Sequence, residues 1–187
     1  TTNHVSDPWP SIRGTALHAW FAEAFTADNT RTGRLRWVAE QKVTPHPDHP
    51  GTADLYDAVE KCVVDHKCLG PTSMQKIRSA GTPPRHYVVQ LLLYGEGYRL
   101  LGLPVDRVVL AAYPATAASL DGIWVWERPH TEADDELLKQ VFAQTAQRKA
   151  YAEKLANQQI TLNEIPACPS ESECYFCPMY RPESARD

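Results

Sequence analysis

No stretch of this chain stays apolar for the roughly 18 to 20 residues that a membrane-spanning helix needs, and no internal repeat runs through it. A bilayer-spanning helix and a solenoid are both excluded, and no membrane partner is expected. An excess of positive charge is missing too, the formal net charge being −4. That total is unusual for a nucleic-acid binder but does not exclude one, because catalytic carboxylates and acidic tails lower the sum while a basic groove persists locally. A paired set of cysteines is also absent. Five is an odd number, and with no signal peptide ahead of them they indicate a reducing, cytoplasmic compartment and not a disulfide framework. What is present is a chain of 187 residues, enough for one domain with a sizeable core.

The periodicity places a helix over 11–26, where Leu17, Phe21, Ala24 and Phe25 form an apolar stripe, and a strand over 35–44. A proline- and histidine-rich loop, 45–50, precedes two apolar-rich runs that read as a hairpin turning near Glu60 and Lys61. A short helix or loop follows over 71–80, then a helix from Pro84 to Gly102 and a strand over 105–113. A strand over 122–128, with Trp124 and Trp126 on one face, leads to a helix from Thr131 to about Gln159. That helix starts with Asp134 three residues after Thr131, in the manner of a capping box. This order predicts an α/β fold with a mixed sheet flanked by helices.

Chemistry concentrates in the hairpin. Asp65 and Lys67 are two apart, so a strand projects both to one side, and Asp54 stands in the partner run. Neighbouring carboxylates repel unless a cation lies between them, and a hard divalent ion such as Mg2+ or Mn2+ answers that demand. A lone Asp-x-Lys is more often a surface ion pair. Three further residues strengthen the metal reading. His18 lies on the first helix between the small residues Gly14 and Ala22 one turn away on either side, an arrangement suited to a ligand in a cleft. Gln90 and Tyr94 are four apart on an otherwise apolar helix, and a polar pair there needs partners. Each has a plainer reading as well. His18 can be a core histidine on a backbone carbonyl, Asp54 can cap a turn, and Gln90 and Tyr94 can bond each other. Arg31, Arg34, Arg36, Lys76, Arg78, Arg85 and His86 are the basic candidates for phosphate contacts.

Taken in order, Gly14-x-x-x-His18, Gly51-x-x-Asp54, Asp65-x-Lys67 and Gln90-x-x-x-Tyr94 resemble the RecB-type, Cas4-like branch of the PD-(D/E)XK nuclease superfamily, which includes phage-type exonucleases. The resemblance spans residues 11–113 by motif. It implies a restriction-endonuclease-like core over 1–160, with a cysteine-containing tail, 161–187, packed on the same domain. By the same resemblance His18, Asp54, Asp65 and the main-chain carbonyl of His66 hold the metal. Lys67 activates or orients the attacking water, and Gln90 and Tyr94 position the lysine and the DNA strand. Glu40 is a further acid at the same edge, outside the expected ligand set.

The tail carries Cys168, Cys174 and Cys177, a spacing suited to metal thiolates, in a segment with little apolar periodicity. Members of this branch often hold an iron–sulfur cluster through three such cysteines and one ahead of the core. Here the spacing is reversed from the usual order and no cysteine precedes Gly14. A [4Fe–4S] cluster, Zn2+ and free thiols therefore all stay open, and a fourth ligand is expected in a preceding segment. Cys62 and Cys68 alternate with Asp65 and Lys67 and should face away from them. The implied function is metal-dependent exonuclease action on DNA ends or single strands, in recombination, repair or phage DNA processing, with protein partners from those processes. A structure- or sequence-specific endonuclease of the same fold, and a non-catalytic DNA-binding or assembly subunit, are the rival readings.

Overall fold

The structure of the chain is a computed structural model and describes residues 8–166. Its described residues fall into two compact units divided between Leu138 and Lys139. In the first unit a five-stranded mixed sheet is flanked by helices, as the sequence predicts. The order of elements is α1 (Trp9–Thr32), β1 (Trp37–Val43), β2 (Gly51–Asp57), β3 (Cys62–Leu69), α2 (Pro71–Ala80), α3 (Arg85–Leu100), β4 (Arg107–Pro114), β5 (Trp124–Pro129) and α4 (Glu132–Ala156). The division between the units falls inside α4. The second unit comprises the rest of that helix and a 3-10 turn, Leu162–Glu164, closed by a capping box between Thr161 and Glu164.

Strands lie side by side in chain order, antiparallel except for β3 and β4, which are parallel and linked through α2 and α3. The parallel pair is central and its strands read accordingly, with Val63, Val108, Leu110 and Ala112 fully buried. Against them α3 supplies Leu91 and Leu92, and its Tyr98 stacks on Tyr56 of β2 with ring centroids 4.7 Å apart. A glycine is required where α3 crosses β1, because a Cβ on Gly97 would lie 2.5 Å from that of Val43. Leu69, Met74, Ile77 and Ala112 form a smaller cluster under α2, covered by Tyr87 and Trp124.

The first helix runs six residues beyond its expected end. The extension has a clear cause: Asn29, three turns past His18, takes the amides of Arg36 and Trp37 on its side-chain oxygen and donates to the carbonyl of Trp37. Helix and strand are thereby tied together, and Gly33, at φ +64°, ends the helix in the left-handed conformation. Among the described residues no helix is long and apolar enough to cross a membrane.

Two irregularities open the sheet. Pairing of β2 with β3 holds from Asp57–Cys62 to Leu55–Val64 and stops one step before Asp54 and Asp65 would meet. Pairing of β1 with β2 keeps one register throughout but skips Glu40, the residue standing opposite Asp54. Glu40 has φ +51°, a left-handed conformation costing a non-glycine residue of order 1 kcal/mol. Three acids on adjacent strands thus reach one level of the sheet where the ladder opens.

Candidate metal and nucleic-acid site

Alternation along β3 sends its residues to two destinations. Asp65 and Lys67 face α3, while His66 faces α1. The Lys67 ammonium lies 2.9 Å from both oxygens of Asp65, in hydrogen-bond geometry to Oδ1 alone, and donates to Gln90 Oε1 at 3.0 Å. Gln90 in turn donates through Nε2 to the Tyr94 hydroxyl at 2.8 Å. The helical spacing of four therefore does two things. It lets Gln90 and Tyr94 bond each other, and it aims the amide oxygen at a lysine 23 residues away in sequence.

Gly51 explains itself here. A Cβ at that position would sit 2.9 Å from Tyr94 Cε1, so the glycine opening β2 admits the tyrosine ring that supports Gln90. Tyr87, one turn before Gln90 on α3, presents its ring face to the Lys67 ammonium at 5.2 Å, a cation–π contact. Sequence reasoning missed Tyr87. It is an aromatic on an apolar helix, and only the packing shows what it faces.

Asp65 is fully buried, and burial pushes its carboxyl up to about 6 despite the opposing charge of Lys67, with Asp54 adding to the rise. Among the described residues its Oδ2 has no donor in hydrogen-bond geometry, the Lys67 ammonium meeting it as an ion pair. Asp54 accepts from the main-chain amide of His66 at 2.7 Å. Its other oxygen lies 3.2 Å from His18 Nδ1. The His18 ring is held above its ordinary pKa chiefly by that hydrogen bond, against the opposing effect of burial. Glu40 approaches the same nitrogen at 3.9 Å, and its own carboxyl is raised by burial and then by Asp54.

Donor atoms of His18, Glu40 and Asp54 all lie within 4.8 Å of one another, close enough to hold a metal ion. This set differs from the expected one. Asp65 stands beside the cluster, within electrostatic reach of both Asp54 and His18, but spends its charge on Lys67. Glu40 takes a place in the cluster that the sequence did not assign to it. The donor chemistry fits a divalent cation: one imidazole, two carboxylates, and an adjacent buried carboxylate oxygen without a donor in hydrogen-bond geometry.

The His66 side chain has no part in that cluster. Its ring stacks on Phe21 at 4.5 Å, and Nδ1 lies 3.2 Å from the Tyr113 hydroxyl. Burial lowers its pKa to about 4, so the ring is neutral at physiological pH. Phe25 stacks on the same ring and packs at a tilt against Trp37. This aromatic pile fixes α1 on β3 and so sets the height of His18. Cys62 is buried and Cys68 half-buried, both as free thiols on the alternate positions of β3. Among the basic candidates, Arg36 is bound to Asp57, Arg31 to Asp28, and Arg78 donates to the Gly122 carbonyl. Cys168, Cys174 and Cys177 lie outside the described residues.

No protein-family pattern and no curated protein matches the sequence. Two solved structures resemble the fold. One is an alkaline exonuclease (LHK-Exo) from Laribacter hongkongensis, 17% identical, with a TM-score of 0.55 over 80% of this chain and 74% of that one. The other is LHK-Exo in complex with dAMP, 19% identical, with a TM-score of 0.57 over 84% of this chain and 77% of that one. At such identity the likeness speaks for the nuclease-like core and not for particular residues.

Proposed function

We propose that the chain is a metal-dependent deoxyribonuclease of the RecB-type, Cas4-like branch, acting as an exonuclease on DNA ends or single strands. One observation carries the reading. A lysine, braced by Asp65, Gln90 and the face of Tyr87, stands beside a histidine–carboxylate cluster at the point where the sheet opens. An ordinary surface ion pair needs none of these supports. The fold shared with an alkaline exonuclease and the order of the four motifs point the same way.

His18, Glu40 and Asp54 would hold the divalent cation, with Asp65 and the His66 carbonyl completing its surroundings. When bound, Mg2+ or Mn2+ supplies positive charge beside the scissile phosphate. The remaining work belongs to the chain. The Lys67 ammonium orients the attacking water and stabilises charge building on a phosphate oxygen. Asp65 and Gln90 fix its position, Tyr94 fixes Gln90, and the amide of His66 fixes Asp54. Imidazole in the donor set favours Mn2+ over Mg2+. The tail cysteines are proposed to bind an iron–sulfur cluster or zinc, which metal analysis and a visible spectrum of anaerobically purified protein separate.

The test uses full-length protein with end-labelled linear DNA and a closed circle, in Mn2+, Mg2+ or EDTA. Release of label from the linear substrate with Mn2+ or Mg2+, none in EDTA, and an intact circle are the expected results. Cutting of the circle would assign an endonuclease, and hydrolysis indifferent to EDTA would overturn the metal site. Gly51→Ala gives a sharper check of the bracing chain. The added methyl must push the Tyr94 ring aside, so kcat is expected to fall roughly 10- to 100-fold while Tm drops by about 2 to 4 °C. Steady-state kinetics and calorimetry on the same preparation read both.

A further inference from the structure

The sequence motif Gly14-x-x-x-His18 contains one residue that the proposed chemistry leaves unused. A glycine inside a helix weakens it relative to alanine, so its presence calls for a reason. Two common reasons are excluded for Gly14. Its backbone is not left-handed, unlike that of Gly33, Gly81 and Gly102. Nor is it crowded, for among the described residues a Cβ there would meet nothing within 4 Å, in contrast to Gly51 under Tyr94 and Gly97 against Val43.

The position is nonetheless not on the outer surface of α1. Gly14 lies one turn, about 6 Å along the axis, before His18. It shares the helix face on which later turns carry Phe21 and Phe25 down to His66. Arg13, the neighbouring residue, reaches the Ala115 carbonyl beyond the end of β4 at 3.2 Å. That bond, through Nη1, is the guanidinium's one hydrogen bond among the described residues, and it makes no ion pair with a carboxylate there. Open space one turn from His18, bordered by a guanidinium whose charge no carboxylate among the described residues neutralises, has the chemistry of a phosphodiester seat.

We infer that Gly14 keeps open the passage by which the sugar–phosphate backbone of the substrate strand lies against α1 beside His18, with Arg13 donating to a phosphate flanking the one that is cut. The inference rests on the nuclease reading and adds to it the path of the strand and a steric gate for it.

Gly14→Ala and Gly14→Leu test it, since both replacements are good helix formers. Three measurements are made on the full chain: Tm, Mn2+ binding by calorimetry without DNA, and kcat/KM on a short labelled single strand. Gly14→Ala is expected to melt about 2 to 4 °C higher than the parent, because the helix gains and no packing is lost. Mn2+ affinity stays unchanged in both variants. On DNA, kcat/KM falls about 10-fold for alanine and about 100-fold or more for leucine, chiefly through KM. A Gly14→Leu protein as active as the parent would overturn the inference while leaving the nuclease reading intact. A lower Tm for Gly14→Ala would also overturn it, by assigning the gap to the chain's own packing. A parent protein that hydrolyses no DNA in any divalent metal would remove the nuclease reading and this inference with it.

Discussion

Replacing Lys67 by methionine is expected to lower kcat for DNA hydrolysis by about 1000-fold, with KM and Mn2+ binding little changed. The lysine is the only cation in hydrogen-bond contact with Asp65 among the described residues, and its ammonium is the group that the surrounding helix is built to aim. Methionine keeps the aliphatic stem and the packing but removes the charge. A second consequence follows from burial. Asp65 has no solvent exposure, so removing its partner leaves an uncompensated carboxylate and costs roughly 3 to 5 kcal/mol at neutral pH. The metal-free Lys67→Met protein should therefore melt well below the parent, and Mn2+ should restore part of the difference by binding the folded state. Single-turnover cleavage and calorimetry with and without Mn2+ measure both effects. Activity within tenfold of the parent would sink the role assigned to Lys67.

Asp65→Asn should act in the opposite direction on stability and in the same direction on activity. The folded carboxyl titrates at about 6, against an ordinary value of 3.8, so between those limits the folded state holds the proton more tightly than the unfolded one. Stability therefore falls as pH rises from about 4 to about 6, and above that the whole penalty, on the order of 3 kcal/mol, remains. Asparagine carries no such penalty. In EDTA at pH 7.5 the variant should melt roughly 5 to 10 °C above the parent, the gap closing as pH approaches 4. Lys67 keeps its bond to Gln90 and a partly exposed ammonium, so losing the carboxylate does not strand it. Hydrolysis should fall to background, because the carboxylate that holds Lys67 beside the His18–Glu40–Asp54 group has lost its charge. Scanning calorimetry across pH 4 to 8 decides the point, and a variant that melts below its parent at pH 7.5 refutes the burial argument.

Such a gain in stability on loss of function is what a catalytic centre assembled from buried acids predicts. The same tension appears at Glu40, held in a left-handed conformation opposite Asp54, and at the rung where β2 and β3 part company. Regular pairing at these two places would be the more stable arrangement for the sheet. The acids would then pair across a flat ladder and could not gather around a point.

What the sequence determined by itself was local. Helical and strand periods placed the five strands and the three longer helices, while 71–80 reads equally as a helix or a loop, and spacings of two and four put Asp65 with Lys67 and Gln90 with Tyr94, because such neighbours share a face whatever the rest of the chain does. Tertiary structure alone decided which face met which. Glu40 joined His18 and Asp54 through cross-strand register, and Tyr87 came under the ammonium only once α3 lay across β3. His66, read from sequence for its carbonyl, proved to anchor α1 through its ring. These contacts join residues 12 to 45 positions apart, and a pairing over that distance is set by the packing of whole elements, which no local spacing encodes.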